Sequence, residues 1–413
     1  GLPLSLRTDA QRIMDAALKA ALPDTAVAKA LEAARFGPGR LVLVAAGKAA
    51  WQMAAAAVRQ LGERVDSGVV ITKYGHSKGP LPGLEIYEAG HPVPDENSFK
   101  ATQTAIEAVS GLTAQDTVLF LLSGGGSALF EKPLIPPADL DRLTHELLAS
   151  GADIVEMNTV RKRFSAVKGG RFAALCAPAR VFSVVLSDII GDPLDMIASG
   201  PAYPDSSTEE QARAVAEKYG LTLTEEMRAL LAVETPKSLD NVETHITGSV
   251  RQLCLAAQEE CRALGYTPVV LTASLSCTAR EAGAFLANIA QYHHGGGRKL
   301  AFLAGGETVV QLTGGGLGGR NQELALAAAP GIAGLSGAAV FSLGSDGTDG
   351  PTDAAGGYVD GSTAQALGEQ GVDIFAVLKD NDSYHALEKT GGLIKTGPTG
   401  TNVNDIAAVL IEG

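Results

Sequence analysis

The residues best suited to chemistry in this chain are cations, amides and carboxylates that stand one or two positions after a glycine. They are Lys48 in AAGKAA, Arg320 and Asn321 in LTGGGLGGRNQE, and Asp346 in SLGSDGTDGPTDAAGG. A further loop, LFLLSGGGSALF, breaks an apolar run at Ser123 and sets Gly124, Gly125 and Gly126 in succession before Ser127 and Ala128. An apolar run of strand length feeding a glycine loop and then a helix offers bare backbone N–H groups to phosphate or carboxylate. Lys48 at such a turn reads equally as a point charge for an anion and as a helix-start lysine snorkelling to water. Arg320 and Asn321 read as side chains aimed at an anionic substrate. SDIIGDPLDMIASGP adds Asp188, Asp192 and Asp195. Carboxylates spaced through Gly/Pro-rich loops suit Mg²⁺, hydroxyl recognition or general-base duty. Asp192 and Asp353 read instead as turn residues. Several such loops at strand ends imply one composite site for a polyanionic small molecule.

Other signals are weaker. Arg161, Lys162, Arg163, Lys168 and Arg171 concentrate positive charge in an otherwise acidic chain, either as a local anion site or as a solvated helix face. Gly47-Lys48 fails the P-loop pattern, because no glycine stands five residues earlier and Ala49 replaces Ser or Thr. Gly314 to Gly319 satisfies G-x-G-x-x-G, but with five glycines in six positions the match is nearly automatic, and no ribose-binding acid is cleanly placed downstream. His91 sits in a Pro-rich turn, as a site-lining residue or a structural donor, and His293-His294 reads as a surface loop. No Ser-His-Asp order stands out, which sets a triad hydrolase aside.

These loops need strands and helices to hold them. The 413 residues suggest two or three domains, and an apolar fraction of 46% allows sizeable cores. A net charge of -13 argues against nonspecific nucleic-acid or anionic-membrane binding. Four scattered cysteines form neither a disulfide framework nor a zinc pattern, so a reducing cytoplasm is expected. The first 22 residues show helical spacing broken by charges, unlike a signal peptide, and the longest apolar stretch falls short of a membrane span. LVLVAAG, SGVVITKYG, DTVLFLLSGGG and ARVFSVVLSD read as strands alternating with amphipathic helices. That order predicts an α/β fold with a mainly parallel sheet covered on both faces. Periodicity fades around Pro236, which predicts domains at 1–240 and 241–413.

The segments LLSGGGSALFEKP, MNTVRKRFSAVKGGR, SDIIGDPLDMIASGPAYPD, GGETVVQLTGGGLGGRNQELAL and GSDGTDGPTDAAGGYVD together resemble the glycerate 2-kinase family, also called class II glycerate kinases, over nearly the whole chain. The resemblance implies ATP-dependent phosphorylation of D-glycerate at the 2-hydroxyl with Mg²⁺. It implies a larger Rossmann-like N-terminal domain, a smaller C-terminal MOFRL-type domain with a mixed sheet, and an active site in the cleft between them. It puts function on Lys48 and Arg320 and gives the nucleotide phosphates to Ser123, Gly124, Gly125, Gly126, Ser127 and Ala128, with Lys168 assigned beside them. Asp188 is expected as base or metal ligand, and Asp346 as metal ligand and substrate contact. Asn158, Lys162, Glu307 and Asn321 complete the expected substrate contacts. Some relatives are named hydroxypyruvate reductase, so an NAD(P)H-dependent reductase stays as the alternative, with a sugar-acid-binding protein behind it. Nucleic acid and membrane are not expected partners, and a homodimer is compatible with the reading.

Overall fold

A computed structural model of the chain describes residues 3–187 and 194–413. The apolar runs become strands because each is buried on both faces. β1 (Leu41–Ala46), β2 (Ser67–Lys73), β3 (Leu84–Ala89), β4 (Thr117–Leu122), β5 (Arg180–Leu186) and β6 (Val242–Thr247) form one sheet in the order β3-β2-β1-β4-β5-β6. Every pairing in it is parallel. All residues of β1 and β4 are buried, whereas the edge strands β3 and β6 are partly open. That contrast explains why the central strands read as unbroken apolar runs and the edges carry Glu and His. Phe120, Phe130 and Phe172 pack together behind β4, with ring centroids 4.8–5.5 Å apart.

The second sheet is mixed. It contains β7 (Thr267–Leu275), β8 (Leu300–Gly306), β9 (Ala338–Gly344), β10 (Gly356–Asp360), β11 (Leu393–Ile394) and β12 (Asp405–Ile411), in the order β11-β10-β9-β12-β8-β7. Only the β7–β8 pairing is parallel; β12 runs antiparallel between β8 and β9. The helices Ala279–His293 and Arg320–Ala328 cover one face through an alanine- and leucine-rich core.

By contacts, residues 26–187 and 194–247 form one compact unit, and 3–25 with 248–413 form another. This differs from the expected division at 240 in two ways. β6 completes the parallel sheet, moving the edge to Thr247. The N-terminal helix Pro3–Ala21 packs on the helix Val250–Ala263 of the second unit. Asp9 accepts the Tyr266 hydroxyl at 2.8 Å, Arg12 pairs with Glu260 at 3.0 Å, and Arg7 lies over the Tyr358 ring at 4.3 Å. No described helix is long and apolar enough to cross a membrane.

Candidate active site

At the carboxyl edge of the parallel sheet, Ala46 lies level with Leu122, and Leu122 with Val185. The turn after β1 therefore meets the turn after β4. Gly47 has φ +131°, and a Cβ there would collide with Ser123 Oγ, so the close approach requires glycine. Ser123 Oγ accepts the Ala49 N–H at 3.1 Å, and the Gly124 carbonyl accepts the Lys48 N–H at 2.8 Å. Gly125, at φ +87°, turns the chain into the short helix Gly126–Leu129. Among the described residues, the N–H groups of Gly124, Gly125, Gly126 and Ser127 have no acceptor. Lys48 Cγ lies 3.1 Å from the point a Gly125 Cβ would occupy, and the imidazole of His91 touches the same point at 3.0 Å. The half-buried Lys48 ammonium has no acceptor among the described residues. This is a cradle of N–H donors with one cation beside it.

Of the basic run, Lys162, Arg163, Lys168 and Arg171 lie beneath the loop and form neither a solvated helix face nor an open anion site. Lys168 is 1% exposed; its Nζ donates to the Ser127 carbonyl at 2.8 Å and pairs with Glu131 at 2.9 Å. Glu131 in turn accepts the Ser165 hydroxyl at 2.6 Å. Burial pushes the Lys168 ammonium below its ordinary range, against the pull of Glu131. Lys162 donates to Asp205 and to the Asp195 carbonyl, each at 2.9 Å. Arg163, fully buried, reaches Asp205, Ser207 and Glu234. Arg171 donates to the carbonyls of Lys162, Arg163 and Ser165. Burial opposes ionisation of Asp205, yet Ser207, Lys162 and Thr235 hold its carboxyl well below the usual range. The expected phosphate and substrate contacts at Lys168 and Lys162 are thus corrected to supports: their ammonium groups already face protein acceptors. Asn158, half-buried one turn before Lys162, makes no side-chain hydrogen bond among the described residues. Ala198 and Ser199, at φ +51° and +62°, press on the loop, with the Ser199 and Ser127 hydroxyls 3.2 Å apart. Asp188 and Asp192 lie outside the described residues.

At the edge of the mixed sheet, Asp405 pairs with Gly306 on one side and Gly344 on the other. Arg320 opens its helix and grips Asp405 twice, Nε to Oδ2 at 2.5 Å and Nη2 to Oδ1 at 3.0 Å, while Nη1 lies 3.4 Å from Glu307. The Asp405 hydrogen bond raises the guanidinium above its ordinary value, so Arg320 is charged at every working pH. Asn404, at φ +69°, sets the entry to Asp405. Glu307 is exposed. Asp346 is half-buried, and Oδ1 accepts the Thr348 N–H at 3.0 Å. Asp346 Oδ1 and Asp405 Oδ1 lie 3.2 and 3.3 Å from the position of a Gly344 Cβ. No group of three metal-ligating side chains occurs among the described residues. A lone carboxylate with one unengaged oxygen fits Mg²⁺ that brings phosphate and water as its other ligands. Asn321, expected at substrate, is 1% exposed and bonds Ser342 and Asp349, so its amide is internal.

The G-x-G-x-x-G loop is closed to a dinucleotide. Asn381 Oδ1 accepts the N–H groups of Thr313 and Gly314 at 2.7 and 2.9 Å. Asp380 takes those of Gly315 and Gly316, and Asp382 that of Leu317. Asp349 Oδ1 and Oδ2 accept the Asn321 and Gln322 N–H groups at 3.0 and 2.9 Å, occupying the helix N-terminus. Burial pushes this carboxyl up to about 6 against those donors. The glycines are there because Cβ atoms on Gly314, Gly316 and Gly318 would strike Asp380, Asp382 and Ser383. A pyrophosphate would meet carboxylates where it needs N–H groups, which removes the reductase's nucleotide site.

A parallel sheet whose edge presents an N–H cradle and a lysine, both without acceptors among the described residues, and a second sheet whose edge presents a clamped arginine, define an α/β protein for small anions. Family models described as "Domain of unknown function (DUF4147)" and "MOFRL family" match residues 9–232 and 300–405. Over 99% of both chains it is 53% identical to a D-glycerate 2-kinase of Thermotoga maritima. The crystal structure of a glycerate kinase from that organism superposes with a TM-score of 0.92, covering 99% of this chain and 100% of that one. A relative from Agrobacterium vitis, 41% identical over 99% of this chain and 95% of its own, carries a provisional hydroxypyruvate reductase name. The chain belongs to the glycerate 2-kinase family.

Proposed function

We propose that the protein transfers the γ-phosphoryl group of ATP to the 2-hydroxyl of D-glycerate, giving 2-phospho-D-glycerate and ADP. The observation that carries this reading is the cradle of N–H groups at Gly124–Ser127 beside Lys48, neither with an acceptor among the described residues, in a chain this similar to a D-glycerate 2-kinase. Phosphoryl transfer asks for positioning and charge neutralisation rather than covalent chemistry. The glycine loop holds phosphate oxygens, and Lys48 neutralises charge on the transferring group. Arg320, fixed by Asp405, offers its remaining N–H groups to the glycerate carboxylate, flanked by Glu307 for a substrate hydroxyl. Asn158 is a further substrate contact. Asp188 orients the attacking hydroxyl and accepts its proton. Asp346 is the carboxylate that would hold Mg²⁺, which would supply positive charge to offset that of the phosphates. The unpaired cysteines favour a cytoplasmic setting.

The test is ADP release dependent on D-glycerate, with the phosphate located on the product by NMR. Phosphate on the 2-oxygen supports the reading. ADP release that ignores glycerate, or phosphate on the 3-oxygen alone, contradicts it.

A further inference from the structure

The glycine loop and Lys48 offer contacts to phosphates, but nothing to a base or a sugar. In the same unit lies a cavity of about 330 Å³, lined in part by Pro92, Phe99, Leu140, Asp141, Thr144 and Arg161. Two connections tie it to the loop. Pro92 directly follows His91, whose ring reaches the Gly125 position. Phe99 stands on the same helix as Thr102, whose hydroxyl accepts the Glu131 N–H at 3.1 Å just past the loop's short helix.

The lining is mixed in a telling way. Prolines, Phe99 and Leu140 make apolar walls, while Glu96 and Asp141 bring carboxylates. Arg161 presents a guanidinium whose buried Nε has no acceptor among the described residues. Carboxylates would repel a polyphosphate in this cavity, yet they are natural acceptors for ribose hydroxyls. A planar guanidinium stacks on a base, and apolar walls hold its ring. The volume falls within the range of about 300–1,000 Å³ usual for small-molecule pockets.

We infer that this cavity takes the nucleoside half of the ATP whose phosphates lie on the glycine loop, an inference that rests on the proposed kinase reading. Irradiating the wild-type protein with 8-azido-ATP should label peptides within 92–99 or 137–144, and unlabelled ATP should protect them. Absence of ATP-protected label in those peptides overturns the inference. Ala138→Trp and Thr144→Trp, which narrow the cavity, should each raise KM for ATP about tenfold or more while KM for D-glycerate stays within about twofold. An unchanged KM for ATP in both variants overturns it as well. Labelling needs only nucleotide binding, whereas the kinase reading is judged by glycerate-dependent ADP release, so the two failures are told apart.

Discussion

Lys48 and Arg320 are both cations at strand-edge turns, yet the structure treats them differently. Lys48 has no acceptor among the described residues, whereas Arg320 is oriented by Asp405 on two of its donors. A free lysine serves as a mobile point charge and a clamped arginine as a fixed fork. Lys48→Met should therefore lower kcat/KM for ATP by about 10²–10³-fold, the usual loss for removing one transition-state charge contact. Steady-state kinetics within tenfold of wild type would contradict that role. Arg320→Lys should act chiefly on D-glycerate, raising its KM about tenfold because the fork and its grip on Asp405 are both lost. Asp188→Asn should cut turnover by about 10²–10⁴ if Asp188 takes the hydroxyl proton. Single residues were the harder part to read from sequence. A glycine run after a strand looks the same whether its N–H groups are open, as at Gly124–Ser127, or taken by Asp380, Asn381 and Asp382 some 65 positions away.

Among the elements, strands were the most legible. β1, β4, β8 and β9 are buried on both faces, so their apolar runs needed no partner to be recognised. What an element packs against was not legible: an amphipathic face does not name its neighbour, and the helix Pro3–Ala21 joined the second unit instead of the first. The run from Arg161 to Arg171 was misread for a related reason, since its partners Asp205 and Glu234 lie far along the chain. Its role as a frame is testable. Lys168→Met leaves Glu131 charged and buried, and should cost about 3–5 kcal/mol in denaturant unfolding. Adding Glu131→Gln should restore much of that loss; no recovery would contradict the pairing. The same region should be acid-labile. The Tyr219 hydroxyl and Lys218 hold Glu156 at about 2, and, against burial, the Glu209 N–H and Lys237 hold Glu234 at about 2. Folded values below the ordinary carboxylate range make this stabilisation full above about pH 4.5 and lost as pH falls toward 2. Unfolding measured from pH 5 to 2 should fall less steeply for Glu156→Gln than for wild type, and identical slopes would contradict the assignment.

For the whole molecule, the net charge of -13 repels anionic substrates at long range, so recognition must come from local donors. The fold meets that need by exposing backbone N–H groups at one sheet edge and an arginine held by a carboxylate at another. The resemblance in five long motifs foretold the family that the comparisons show, and the parallel-plus-mixed sheet pair follows the same expectation. What separates a kinase from a reductase here is which glycine loop is open. The most direct measurement runs one pure sample in two assays: D-glycerate with ATP and Mg²⁺, and hydroxypyruvate with NADH or NADPH. A glycerate 2-kinase gives glycerate-dependent ADP release and no nicotinamide oxidation. Nicotinamide oxidation without ADP release would contradict the kinase reading and return the Gly314–Gly319 loop to the role of a dinucleotide site.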